Sequence, residues 1–111
     1  MAEKTDVQEK INKISAMEQT LQTFLAQKQS LQSQLVEVVS ALEELDKTSK
    51  AYKIIGNVMV SADSASLKED LSRKKELLDL RIKNVEKQEE KIRHKAEELQ
   101  AEVMKEMSDQ N

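Results

Sequence analysis

Apolar residues recur at every seventh position through the first half of this chain, and this repeat constrains its fold more than any other feature. It forms two rows offset by three residues. The first row is Val7, Ile14, Leu21, Lys28, Leu35 and Leu42, and the second is Met17, Phe24, Leu31, Val38 and Leu45. A mean interval of about 3.5 residues places both rows on one side of an α-helix, as the seam of a left-handed coiled coil. The repeat predicts a helix over residues 5–48, with Thr5 and Gln8 at capping-box spacing.

Lys28 is the one polar residue in these two rows. Its aliphatic stem can pack in the seam while the ammonium group reaches water. Alternatively, it is a polar group that fixes the register of two paired helices. Ile11, Leu25 and Val39 widen the apolar stripe on one side, which favours contact with more than one neighbour or a face left open for another partner.

A second, thinner repeat predicts a helix over residues 64–107, with Ser66 and Glu69 at capping-box spacing. Its apolar positions are Leu71, Leu78, Val85, Ile92 and Leu99, with Ile82, Ala96 and Val103 in the other row. Acidic residues precede basic residues by four in the pairs Glu69 and Arg73, Asp70 and Lys74, Asp79 and Lys83, and Glu89 and Arg93. Each such pair adds about 0.2–0.5 kcal/mol to an exposed helix. These charges are interpreted as a solvated face.

The segment between the two helices predicts a β-hairpin over residues 51–62. Gly56, the only glycine of the chain, precedes Asn57 between two runs rich in β-branched residues, which is typical of a two-residue hairpin loop. This loop pairs Ile55 with Val58, Ile54 with Met59, Lys53 with Val60 and Tyr52 with Ser61. Both faces of the hairpin are then apolar, and its two edges are open. We therefore expect strands from other chains to complete the sheet.

The predicted fold class is mostly α, a long antiparallel two-helix coiled coil joined by one β-hairpin. The hairpin reverses the chain, so the two termini meet at the far tip of the helix pair. The apolar residues expected at this tip are Val7, Ile11, Ile14, Met17, Leu99, Val103, Met104 and Met107. Ordinary closure of the seam accounts for the inward half of this set. The methionine-rich remainder is typical of a surface that holds varied apolar partners.

The composition excludes most catalytic chemistry. The chain has no cysteine, no glycine-rich phosphate loop and a single histidine, His94, which lies among charged residues and is interpreted as a surface side chain. Adjacent carboxylates such as Glu97 and Glu98 diverge around a helix and do not form an acid/base dyad. We therefore predict no catalytic residue, no metal site, no cofactor and no enzymatic activity.

Partners other than protein are also not expected. The net charge is −3, and acidic residues flank the one basic run, Arg73 to Lys75, so no nucleic-acid binding is predicted. The amino-terminal residues lack the apolar core of a signal peptide, and no apolar run is long enough to span a membrane. These features predict a soluble cytoplasmic protein without a membrane partner.

The chain resembles a prefoldin beta subunit. The resemblance rests on the heptad helix, on the sequence from Ala51 to Val60, and on a charged second helix that contains the runs Lys74 to Leu78 and Glu86 to Glu89. It covers essentially all of residues 1–111 as a single prefoldin-like domain, with short termini that are more similar to archaeal members. The small, polar segment from Ser61 to Ser66 departs from the pattern and leaves open where the second strand ends and the second helix begins.

The resemblance implies a specific assembly and activity. The family forms a hetero-hexamer of two alpha and four beta subunits, in which the hairpins combine into an intersubunit β-barrel. The residues that this assigns to assembly are Tyr52, Ile54, Ile55, Gly56, Asn57, Val58, Met59 and Val60. Unfolded or nascent polypeptides bind at the coiled-coil tips without ATP and pass to a group II chaperonin. The alternative is a structural coiled-coil scaffold or tether that binds no client.

Overall fold

The chain folds into two long helices joined by a two-stranded hairpin. A computed structural model describes residues 2–109, and the side chains of residues 6–109. The element order is α1 (Ala2–Lys47), β1 (Ala51–Ile55), β2 (Val58–Ala62) and α2 (Ser64–Asp109). The mostly helical fold class with a single hairpin is confirmed. Helix α1 begins three residues before the predicted Thr5, so Thr5 lies within the helix and does not cap it.

The heptad rows of α1 coincide with its buried side. Every row position from Val7 to Leu45 is buried or half-buried. Of the residues that widen the apolar stripe, Val39 is half-buried, whereas Ile11 and Leu25 are exposed. The seam is thus the narrow stripe that the 3.5-residue interval defines.

Contacts divide the chain into two units, each built from a segment of each helix. Unit 1 contains the α1 residues up to Lys28 and the α2 residues from Asn84 onward. Within it, Lys10 pairs with Glu106 near the end of α2, whereas Lys28 pairs with Glu89. Because the partner in α2 moves backward as α1 advances, the two segments run antiparallel. Ala96 and Val103 are its most buried apolar residues.

Unit 2 comprises residues 29–83 and includes the hairpin. Its buried residues are Val38, Leu45, Ala51, Leu78 and Ile82. An ion pair of 3.2 Å joins Lys68 of α2 to Asp46 of α1. The core of this unit therefore combines seam residues of both helices with the first residue of β1.

Short polar contacts define the two junctions between the helices and the hairpin. After α1 ends, the Thr48 hydroxyl accepts a hydrogen bond of 3.1 Å from the backbone N–H of Lys50. Asp63 is the only residue between β2 and α2. Its carbonyl accepts from the Leu67 N–H at 2.9 Å, the first hydrogen bond of α2, and its carboxylate accepts from the Ser66 hydroxyl at 2.9 Å.

Asp63 is therefore the residue that caps α2, a position that aspartate favours. The predicted capping box of Ser66 and Glu69 is wrong, because Ser66 is already the third residue of the helix. Glu69 instead accepts a hydrogen bond from Arg73. These contacts also settle the boundary that the sequence left open, since β2 ends at Ala62 and α2 begins at Ser64.

The hairpin has the predicted register. Ile55 pairs with Val58, Ile54 with Met59, Lys53 with Val60, and Tyr52 with Ser61. Gly56 has a φ of 61°, whereas no non-glycine residue in the described part of the chain has a positive φ. A positive φ at the first loop position alone is the pattern of a type II′ turn, which requires glycine at that position.

Gly56→Ala is expected to lower the free energy of unfolding by about 1–2 kcal/mol, because a Cβ atom disfavours the positive φ that this turn position requires. No atom lies within 4 Å of the site where that Cβ would stand, so the cost is conformational and not steric. Urea denaturation followed by circular dichroism measures the loss. Asn57→Ala is the control, because Asn57 has no positive φ and already carries a Cβ atom, so this variant should lose less. An equal loss in both variants would contradict this explanation.

Candidate functional site

The hairpin exposes apolar side chains on both faces. The large apolar residues from Tyr52 to Val60 are between 38% and 69% exposed, whereas Ala51 at the start of β1 is buried. The sheet of the described chain has two strands, so each strand has one unpaired edge. Unpaired edges that carry exposed apolar residues are templates for pairing with other strands. The residues predicted for assembly thus lie together on one exposed element.

The residues predicted for the tip lie in unit 1 and divide into two groups. Val103 is buried, and Val7, Ile14, Met17 and Leu99 are half-buried. This first group closes the seam. The second group is exposed, with Ile11 at 40%, Met107 at 54% and Met104 at 72%. The set expected at the tip is therefore part core and part exposed apolar surface.

Lys10 links the two helices within this unit. Its ammonium group donates a hydrogen bond to the Glu106 carboxylate and lies 3.3 Å from Glu102 Oε2. The hydrogen bond to Glu106 raises the pKa of Lys10 above its ordinary value of 10.5, with a further contribution from Glu102 and an opposing one from burial. Because the pKa is higher in the folded chain than in the unfolded one, the pairing is fully present at neutral pH. On the alkaline side, it is lost as the pH rises through that raised pKa.

Lys28 and Glu89 form a second link between the helices of unit 1. Lys28 Nζ lies 2.8 Å from Glu89 Oε1, and the Glu89 side chain is only 7% exposed. Lys28 is therefore paired within the seam and does not simply extend into water. Its second interpretation, a polar group that fixes helix register, remains a prediction.

Glu89 is the residue that the sequence interpretation missed. Its assignment to a solvated face beside Arg93 is wrong, because it is buried against α1. The signal was present in the spacing, since Glu89 stands seven residues after Ile82 and seven before Ala96, in the same row. A charged residue at a seam position of one helix indicates a partner of opposite charge across the seam.

The remaining charged residues make few contacts. Of the predicted i,i+4 pairs, Glu69 and Arg73 lie within salt-bridge distance at 2.6 Å, and the others do not appear among the ion pairs of residues 6–109. The His94 side chain is 75% exposed, and its Nε2 lies 3.7 Å from Glu98 Oε1. Across the described residues, no cluster of histidine and carboxylate side chains has the arrangement of a metal site. Neither described helix has the length of apolar sequence needed to cross a membrane.

A family model described as "Prefoldin subunit" matches residues 8–110. The chain belongs to the prefoldin family. A prefoldin subunit beta of Saccharolobus islandicus, strain L.S.2.15, is 36% identical over 93% of this chain and 86% of its own length. A prefoldin subunit beta of Thermococcus onnurineus is also 36% identical, over 84% of this chain and 83% of its own. The resemblance to a prefoldin beta subunit is thereby confirmed.

The three-dimensional fold gives the same result. The crystal structure of the prefoldin beta subunit from Thermococcus strain KS-1 matches with a TM-score of 0.84 and 30% sequence identity, and the match covers 90% of each chain. The match therefore includes the helices as well as the hairpin. This prefoldin chain therefore shares the helix–hairpin–helix fold of a known beta subunit.

The buried residues of the tip should contribute to stability, and the exposed ones should not. Mutation of one residue of each kind tests this difference. Val103→Ala is expected to lower the free energy of unfolding by about 2 kcal/mol, because it removes methyl groups from a buried seam position. Met104→Ala should change it by less than about 0.5 kcal/mol, because the side chain is mostly exposed. Chemical denaturation of both variants measures the difference. Similar losses at the two adjacent positions would show that Met104 also belongs to the core.

Proposed function

We propose that this prefoldin chain is a subunit of an ATP-independent chaperone that holds unfolded or nascent polypeptides and passes them to a group II chaperonin. In this proposal residues 1–111 act as a single prefoldin-like domain, and the protein works in the cytoplasm. Membership of the prefoldin family carries the proposal. The exposed apolar surfaces of the hairpin and of the tip are the parts of this chain that suit the two tasks, assembly and client binding.

The hairpin is proposed as the assembly element. Four copies of this chain combine with two alpha subunits, and the hairpins form an intersubunit β-barrel. Both faces of the hairpin are apolar and both edges are unpaired, so further strands would cover surface that a lone chain leaves in water. Ile55 and Val58 form a cross-strand pair beside the turn, where one substitution on each strand alters the same face.

Replacing Ile55 and Val58 by aspartate is expected to leave the helical circular dichroism signal nearly unchanged and to dissociate the complex with an alpha subunit. Both side chains are more than half exposed in the isolated chain, so charge costs little there but is strongly unfavourable once other strands cover it. Sedimentation of the mixed subunits measures the outcome.

Leu80→Asp is the matched control, because it places a charge on an equally exposed apolar residue outside the hairpin. An intact hexamer with the hairpin variant would contradict the assembly role. If the unaltered chain, mixed with an alpha subunit, forms only a dimer of itself, the result favours the alternative function of a structural scaffold.

The exposed part of the tip is proposed as the client-binding surface. Ile11, Met104 and Met107 are exposed apolar residues on the terminal segments of the two helices. Methionine side chains are flexible and polarizable, so they adapt to apolar segments of different shape. Many charged side chains accompany them on these segments, including Lys10, Glu102 and Glu106. A small apolar surface of this kind suits weak, reversible holding of a non-native chain.

Serine substitution of Ile11, Met104 and Met107 is expected to preserve assembly and to weaken suppression of aggregation of a denatured client by several-fold. Light scattering of a refolding client at increasing chaperone concentration measures this activity. Leu77→Ser with Leu80→Ser is the control, because both leucines are exposed but lie in unit 2. Unchanged suppression by the tip variant, or an equal loss in the control, would place client binding elsewhere.

A further inference from the structure

The seam of unit 1 carries charge of one sign on each helix. The seam positions of α1 in this unit are Val7, Lys10, Ile14, Met17, Leu21, Phe24 and Lys28. Those of α2 are Val85, Glu89, Ile92, Ala96, Leu99, Val103 and Glu106. The charged members are therefore two lysines on α1 and two glutamates on α2. All of these positions are buried or half-buried.

Each seam lysine meets a seam glutamate. Lys10 donates a hydrogen bond to Glu106, and Lys28 donates one to Glu89 at 2.8 Å. The two lysines are separated along α1 by nearly the same number of residues as the two glutamates along α2. A displacement of one helix by a heptad would therefore separate both pairs at once. It would also leave the Glu89 carboxylate, only 7% exposed here, against apolar residues without a partner.

The apolar members of the α1 seam do not by themselves select a partner. A row of valine, isoleucine, methionine, leucine and phenylalanine packs against a similar row on any helix of the same period. Two copies of the α1 seam are therefore compatible in their apolar layers. Their lysines are not compatible, because like charges brought together in a seam are strongly unfavourable. The same holds for two copies of the α2 seam, which would bring glutamates together.

We propose that the ion pairs Lys10–Glu106 and Lys28–Glu89 select the partner of each helix in unit 1, so that α1 pairs with α2 and not with the α1 seam of another copy. Selection of this kind matters wherever several copies of the chain are held close together. The pairs act in unit 1 alone. In unit 2 the charges are reversed, because the lysine, Lys68, lies on α2 and its acidic partner, Asp46, lies on α1. Lys75 stands seven residues before Ile82, in the same row of α2, but it is exposed.

A single cysteine at Leu21 tests the proposal in the full chain, which has no cysteine of its own. Leu21 is a seam residue between Lys10 and Lys28, so a disulfide between two copies reports pairing of one α1 seam with another. The test variant also replaces Lys10, Lys28, Glu89 and Glu106 by leucine. Under mild oxidation its fraction of disulfide-linked dimer should rise roughly tenfold or more above that of Leu21→Cys alone.

Two further variants show whether charge is the cause. In the first, Lys10 and Lys28 become glutamate while Glu89, Glu102 and Glu106 become lysine, which exchanges the charges at every ion pair that the two lysines make. Its dimer fraction should be as low as that of Leu21→Cys alone. The second replaces Glu69 and Arg73 by leucine, which removes an exposed ion pair in unit 2 and should also leave the dimer fraction unchanged.

Thermal unfolding gives an independent measure. Replacing Lys10 and Lys28 by glutamate in the otherwise unaltered chain should lower the unfolding midpoint by roughly 10 °C or more, because carboxylates then face carboxylates. The charge-exchanged variant should recover most of that loss. The proposal is overturned if the variant with leucine at all four charged seam positions forms no more disulfide-linked dimer than Leu21→Cys alone. It is also overturned if the charge-exchanged variant forms as much of this dimer as that leucine variant.

Discussion

The packing of α1 against α2 along a seam two rows wide is the interaction on which the rest of the structure depends. The chain has one phenylalanine, one tyrosine and no tryptophan, so it lacks the large side chains that usually fill a globular core. Its stability comes instead from many small layers of valine, leucine, isoleucine and alanine repeated along the helices. Because a coiled coil needs only a narrow apolar stripe, the remaining helix surface is free to be highly charged.

A seam of this kind also determines which polar residues matter. An exposed ion pair such as Glu69 and Arg73 contributes little, because water screens it and two long side chains must be ordered. Glu89 is different, since its carboxylate is removed from water and has Lys28 as its partner. Such a pair adds little net stability compared with two apolar residues, but a wrong partner becomes costly. In our proposal, the charged positions in the seam contribute more to specificity than to stability.

The sequence predicts the fold well where a period or a turn rule applies. The seven-residue rows locate the buried side of α1, and the Gly56–Asn57 pair determines the register of the hairpin. Helix capping is predicted poorly, because Asp63 and Ser66 both have polar side chains suited to that role and only the end of β2 decides between them. Glu89 is missed because a charged side chain suggests a surface residue, whereas its position in the seven-residue repeat indicates burial. Exposure at the tip likewise depends on the side of each helix, which separates Val103 from Met104.

The composition of the hairpin gives this protein a built-in optical label. Tyr52 is the only tyrosine, and there is no tryptophan, so fluorescence excited at a wavelength that phenylalanine does not absorb originates from one side chain. That side chain is more than half exposed on β1, at the element where association with other chains is proposed. Its fluorescence intensity and anisotropy would therefore follow coverage of the hairpin without an added dye. Since neither helix contains a tyrosine, changes in the coiled coil would leave that signal largely unaffected.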